Sequence, residues 1–472
     1  MNMKQVKTRQ DWGVLPYNSG RINGKYLVSN LLGNWDFLTS EEFKTLEQFK
    51  VKEDSSLFKR LHDKGLIIKD DNFPRSVTEF RRLQSHLFSD TSLHIAVVTT
   101  RCNFSCSYCQ THMKKPQDMD YNVATQLIKY LFDVRSQDVV LEFQGGEPLL
   151  NWDVLKFIIE HARKFNATNK NINISMVTNG LLLDEKKINF LIANDVSICI
   201  SLDGPQNIHD RNRITNKHGG TYKQAAKAIA GLKNIYKQRK LNKPINLLPT
   251  ITKYSLPFAE KIIDEYVKWG SEVIAVRPIN KIGQAQESWE QIGYSPEEFN
   301  HFWAHAMDYI LSLNKKGMKI RERMASVMLK KILRKENPGY VDLISPCGAG
   351  RSTLAYMPNG DIYPCDEARM AGDEMFKLGN VLKDAYEEVM KSTNLFCVCE
   401  SSLAELWDYN SPYLPWMGTC PVLNYISQNN IVPKISQTGL YKIFHFQFEY
   451  IFKKILESKS NKAIFEGWAK EA

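Results

Sequence analysis

Short apolar runs alternate with amphipathic stretches through the middle of the chain. The runs at 93–98, 139–143, 172–177, 196–202, 245–251 and 273–276 have the length of buried strands. Between them apolar residues recur at helical spacing, as at 152–165 and 221–236. Strands separated by helical stretches predict right-handed βαβ units on a parallel sheet, an α/β fold. Six such units suit a partial (β/α)6 barrel, whose active site lies at the strand C-termini.

The flanks read differently. Residues 26–30 and 35–38 read as strands, with Gly33-Asn34 as the turn between them. Thr39 and Glu42 have the spacing of a capping box, and Phe43, Leu46 and Phe49 continue a helix. A second helix, 56–64, stops at Gly65, and 66–68 returns as a strand. A bridging helix is expected at 77–88, mostly helix at 281–340, and an aromatic-rich helix packed on the body at 438–456. These shifts divide the chain into units at 1–75, 76–315, 316–430 and 431–472.

With 472 residues there is room for roughly three domains. The formal charge of +10 is scattered and demands no nucleic acid. No apolar run approaches the ~20 residues that span a membrane, and residues 1–11 have no apolar signal core. The nine cysteines are not spaced as a secreted disulfide framework, so a reducing, cytoplasmic setting and metal binding are expected.

Three of those cysteines, Cys102, Cys106 and Cys109, follow the first apolar run as C-x3-C-x2-C. Three thiolates on one loop reach three corners of an iron–sulfur cube. The fourth iron would be open to a ligand, as at catalytic zinc sites. A zinc loop and three unrelated cysteines are the other readings. The spacing, with Tyr108 just before the last cysteine, resembles the radical S-adenosylmethionine (SAM) enzymes. That resemblance implies a [4Fe–4S] cluster on Cys102, Cys106 and Cys109. It implies that SAM is chelated by the open iron, and that an electron from a donor such as flavodoxin or ferredoxin cleaves SAM to methionine and a 5′-deoxyadenosyl radical.

Further motifs fall at the ends of the expected strands. Gln144-Gly145-Gly146-Glu147-Pro148 matches the family's GGEP motif, which implies that Glu147 holds the SAM amino group and that the glycines let backbone approach the ligand. Asn179, in a Thr-Asn-Gly turn, resembles another motif near SAM. Ser201-Leu202-Asp203-Gly204-Pro205 and His209 to Arg213 match the anaerobic sulfatase-maturing enzymes. By that match Ser201 contacts the ribose, Arg213 the carboxylate, and Asp203 shapes the turn. Ile279 would lie against adenine.

Downstream, Asn359-Gly360 between two apolar-aromatic stretches signals a hairpin. Cys347-Gly348-Ala349-Gly350, the Cys365-Asp366-Glu367 that ends the hairpin, and Leu378-Gly379-Asn380-Val381 resemble the SPASM extension, which carries auxiliary iron–sulfur clusters. Cys347, Cys365, Cys397, Cys399 and Cys420 are the candidate ligands. Five thiolates cannot fill two clusters at four each, so one auxiliary cluster or none is expected. Asp366 matches an aspartate that takes a proton from substrate in the sulfatase-maturing relatives; a solvated hairpin aspartate is the plain alternative.

Residues 1–75 resemble the winged-helix modules that bind leader peptides as an added strand; a structural appendage is the alternative. Taken together, the chain resembles the His-Xaa-Ser system radical SAM maturases. The implied activity is hydrogen abstraction from a ribosomally made precursor peptide, leaving a cross-link, an oxidation or an epimerised centre. The rivals are formylglycine generation in a sulfatase, a small-molecule radical SAM reaction, and a peptide-binding homologue without catalysis.

Overall fold

The computed structural model describes residues 11–87, 90–109, 116–166, 169–215, 217, 219–403, 410–432 and 434–471. The N-terminal unit holds β1 (Trp12–Val14), β2 (Tyr17–Ile22), β3 (Lys25–Asn30), β4 (Trp35–Leu38) and β5 (Ile67–Lys69). β2, β3 and β4 make an antiparallel meander, and β1 pairs with β5. β1 and β2 add to the two strands and returning strand read from the sequence. Tyr17–Ile22 is largely polar, so only its pairing with β3 makes it a strand. The capping box forms as expected: Thr39 Oγ1 accepts the Glu42 N–H at 3.2 Å, and Glu42 Oε2 accepts the Thr39 N–H at 2.8 Å. The bridging helix is shifted from the expected 77–88 to Phe73–Leu83, with Pro74 in its first turn. Position 88 lies outside the described residues.

Five parallel strands follow: β6 (Leu93–Thr99), β7 (Asp138–Gly145), β8 (Asn171–Thr178), β9 (Val196–Ser201) and β10 (Asn246–Leu248). They lie in the order β10-β9-β8-β7-β6. The expected sixth strand is cut to β11 (Val273–Ile274), which leaves the sheet and pairs with β12 (Arg321–Glu322). The cause is local: the Val276 N–H is taken by the buried Glu322 carboxylate at 3.0 Å, so it has no ladder to join. Three strands close the other edge. β13 (Thr353–Tyr356) lies parallel to β6, and β14 (Asp361–Tyr363) and β15 (Gly379–Asn380) continue antiparallel. The Asn359-Gly360 hairpin forms as read, with Gly360 at φ +88°. The mixed α/β fold is therefore one eight-stranded sheet with helices against it.

The tail helix runs Gly439–Glu457 and is followed by Lys459–Glu471, which the sequence reading did not separate. Both pack on the helices Pro296–Lys315 and Arg323–Arg334. The N-terminal unit docks here: Trp35 stands edge-on to Phe452, centroids 5.0 Å apart, and Trp35 Nε1 donates to the Ile332 carbonyl at 3.1 Å. No helix among the described residues is long and apolar enough to cross a membrane.

Candidate functional site

The cysteine loop leaves the end of β6 and is clasped by the turn that ends β7. The Gly146 N–H donates to the Thr99 carbonyl at 3.0 Å, and the Glu147 N–H to the Arg101 carbonyl at 2.8 Å. A Cβ on Gly145 would lie 2.2 Å from the Thr99 oxygen, and one on Gly146 would lie 2.2 Å from the Arg101 oxygen. These glycines therefore let two backbones touch, where the sequence reading had them approach a ligand. The far side of the loop is also pinned, with Ser105 and Ser107 N–H groups on the carbonyls of Ile214 and Asn212 at 2.8 and 3.0 Å.

Within the loop the Phe104 N–H points at Cys102 Sγ, 3.5 Å away. Burial pushes the Cys102 thiol up to about 11 and the Cys106 thiol up to about 12; in both the negative charge of the other cysteines adds to the effect, and Arg213 opposes it. Among the described residues no three His, Cys, Asp or Glu side chains could hold a single metal ion.

Glu147 is fully buried. Its Oε1 accepts from Thr178 Oγ1 at 2.7 Å and the Leu149 N–H at 3.1 Å, and Oε2 accepts the Asn179 N–H at 2.8 Å. Burial pushes its carboxyl up to about 7 although those hydrogen bonds pull downward. A carboxylate has about four acceptor positions, so one is left for an ammonium donor. Asn179 Nδ2 donates to Asn103 Oδ1 at 2.7 Å, and the buried Asn103 Nδ2 has no partner.

Asp203 does more than shape a turn. It is fully buried and accepts from Tyr108 OH at 3.0 Å, Arg213 Nε at 3.0 Å and the Thr250 N–H at 2.9 Å. Burial acts to weaken the Arg213 charge, but Asp203 outweighs it and holds the guanidinium protonated. The Asp203 N–H in turn donates to His209 Nδ1 at 3.2 Å, which fixes that nitrogen as the acceptor. Ile279 packs in one apolar cluster with Tyr108, against Cys106. Ser201 is buried at the end of β9, two residues before Asp203.

Gln144 turns toward the hairpin. Its Oε1 accepts from Arg369 Nη2 at 2.5 Å, and Arg369 Nε donates to Asp366 Oδ1 at 2.7 Å. Arg369, which the sequence reading passed over, thus joins Asp366 to the GGEP strand. Its own signal, an i+3 cation after an aspartate, is too common to single out. Of the five downstream thiols, Cys347, Cys365, Cys399 and Cys420 are buried and Cys397 is exposed. Cys397 and Cys399 lie two residues apart on the helix Thr393–Ser401, hence on different faces.

A family model, the radical SAM superfamily, matches residues 96–253. An uncharacterized protein of Methanocaldococcus jannaschii is 31% identical over 182 residues, 38% of this chain and 60% of that protein, so the chain spans less than two thirds of this relative's length. A cysteine-type anaerobic sulfatase-maturating enzyme of Clostridium novyi is 26% identical over 323 residues, 66% of this chain and 82% of that enzyme. In fold the chain resembles anSMEcpe with bound AdoMet and Cp18Cys peptide, at TM-score 0.64 and 20% identity over 81% of this chain and all of that one. It also resembles Streptococcus suis SuiB bound to precursor peptide SuiA, at TM-score 0.55 and 13% identity over 88% of this chain and 97% of that one.

The superfamily implies a [4Fe–4S] cluster and SAM, and the residues fit both. Three thiols share one clasped loop, an unpaired Asn103 amide stands beside them, and a buried carboxylate and guanidinium flank them. The match over residues 96–253, set on this loop and these strand ends, shows that the chain carries a radical SAM domain.

Proposed function

We propose that the protein is a radical SAM enzyme that takes a hydrogen atom from a side chain of a ribosomally made precursor peptide. A cross-link, an oxidation or an epimerised centre would follow. The observation that carries the reading is the clasp of the cysteine loop by Gly145, Gly146 and Glu147, which joins the cluster ligands to the SAM-ammonium acceptor in one rigid unit. When bound, the cluster and SAM supply one-electron cleavage and a hydrogen-abstracting radical.

The chain's own residues do the rest. Cys102, Cys106 and Cys109 hold the cluster. Glu147 takes an N–H of the SAM amino group, and Arg213, held by Asp203, pairs with the methionine carboxylate. Asn179 and Ser201 face the same ligand from neighbouring strand ends, and Ile279 and Tyr108 shut out water. Asp366 accepts the proton lost by the substrate, with its carboxylate fixed by Arg369. The buried Cys347, Cys365, Cys399 and Cys420 are the set for one auxiliary cluster. The N-terminal unit takes the leader part of the peptide, and flavodoxin or ferredoxin delivers the electron. The peptides bound to anSMEcpe and SuiB support a peptide substrate.

Anaerobic reconstitution tests the core of this. The loaded protein, given SAM and dithionite, should release 5′-deoxyadenosine, and the C102A/C106A/C109A variant should release none. Absence of 5′-deoxyadenosine from the loaded wild type would leave only a peptide-binding role. Similarity to sulfatase-maturating enzymes favours a second reading, formylglycine formation; a Cys- or Ser-containing sulfatase peptide that loses the mass expected of that oxidation would establish it.

A further inference from the structure

The scattered positive charge has one concentration. Residues 211–259 hold eleven Lys and Arg and no Asp or Glu, against 62 and 52 in the whole chain, so the rest is close to neutral. The helix Tyr222–Gln238 lies within this stretch and carries Lys223, Lys227 and Lys237 exposed, with Lys240 exposed just beyond its end. The two acids that bound the stretch are engaged elsewhere. Asp210 Oδ1 accepts the N–H groups of Thr221 and Tyr222, each at 2.7 Å, and Glu260 Oε1 lies 3.2 Å from His305 Nε2.

One end of this basic face meets the cysteine loop. The N–H groups of Ser105 and Ser107 hang from the carbonyls of Ile214 and Asn212, inside the stretch. The exposed Arg211 guanidinium stacks on Tyr254, 3.5 Å from its ring centroid. Tyr254 and Trp289, both half-buried, pack together with Cys106 on the apolar cluster of Tyr108 and Ile279. Ser288, beside Trp289, donates to the Ser107 carbonyl at 2.5 Å. An aromatic centre next to the loop is thus edged by Arg211, Lys253 and the first turns of the helix with Lys223 and Lys227. Among the described residues these four cations have no carboxylate within ion-pair distance. Glu287 and Glu290, exposed on the neighbouring segment, mark the limit of the face.

Half-buried aromatics ringed by unpaired cations suit a protein partner of opposite charge. The position says what that partner does, because a protein seated here touches the residues that cover a cluster ligand. We infer that this face docks an acidic, flavin-bearing one-electron carrier of the flavodoxin class. This rests on the radical SAM reading above. The apolar edge of the flavin meets Tyr254 and Trp289, and carboxylates of the carrier meet the four cations. The step moves one electron: the carrier is oxidised by one and the cluster on the cysteine loop is reduced by one.

The test uses the cluster-loaded full chain and oxidised flavodoxin, followed by calorimetry. Binding should be measurable at low salt and weaken as salt rises. K223E/K227E/K253E should weaken it about ten-fold or more. K237E/K240E reverses charge about 20 Å further along the same helix and should leave the affinity within about two-fold of wild type. Reduced flavodoxin should reduce the cluster about ten-fold more slowly in the first variant, whereas dithionite should reduce both variants and wild type alike. No binding of flavodoxin, equal losses in the two variants, tighter binding of a ferredoxin, or displacement of flavodoxin by a single-stranded RNA would each overturn the proposal. If the triple variant does not load, K223Q and K253Q decide, each expected to weaken binding. Flavodoxin binding without 5′-deoxyadenosine formation under dithionite would keep the docking face and discard the enzyme reading, and the reverse result would do the opposite.

Discussion

Asp203 Oδ1 receives both the Nε–H of Arg213 and the backbone N–H of Thr250, so one oxygen ties the end of β9 to the segment after β10. With Asp203 fully buried, its removal leaves a buried guanidinium without its ion-pair partner. D203N should cost about 3–5 kcal/mol in urea unfolding of the cluster-free protein. Y108F, which removes one hydrogen bond, should cost about 1 kcal/mol. A D203N loss no larger than that of Y108F would mean that the pair holds nothing together.

How far this was legible in the sequence follows from how local each feature is. The cysteine loop, Glu147 and the Thr39 capping box depend on residues a few positions apart, so spacing exposes them. Asp203 sits in a motif read as a turn, and its partners Tyr108 and Thr250 are 95 and 47 positions away. The departure of β11 from the sheet depends on the carboxylate of Glu322, which no apolar pattern reveals.

The glycine clasp makes a sharp demand on loading. G146A puts a methyl into the Arg101 carbonyl, and G145A does the same at Thr99 while holding a backbone at φ +147°. Backbone cannot step aside cheaply there. Each variant should retain less than about a tenth of the cluster-loop iron after reconstitution. Iron and sulfide analysis in the C347S/C365S background isolates that loop.

Glu147 sets the pH dependence. Its folded-state pKa, about 7, lies above that of an ordinary carboxyl, so burial disfavours the charged form. Glu147 should therefore subtract stability from the cluster-free protein as pH rises from about 5 to 7, and E147Q should remove that part of the slope, read as its difference from wild type because the buried His94 and His209 shift the opposite way. In the cluster-free protein an N–H donor such as the SAM ammonium reverses the preference. SAM affinity should rise by up to ten-fold per unit below pH 7 and level off above it, as read by equilibrium dialysis.

Cysteine burial separates the thiols. C397S should leave the iron content unchanged, because this side chain is exposed. In C102A/C106A/C109A about four irons per chain should persist on the buried downstream set, and C365S in that background should remove them. Iron counting with EPR of the reduced protein checks all three.

Strand β13 lies beside β6, with Tyr356 opposite Ala96, about 260 positions apart in the chain. The strand that presents the three cysteines thus stays an open edge until the ribosome has made and released most of the polypeptide. Nascent chains shorter than that would offer an unpaired, apolar ribbon to chaperones and to one another. Truncation before residue 356 should therefore yield aggregates instead of a smaller folded domain.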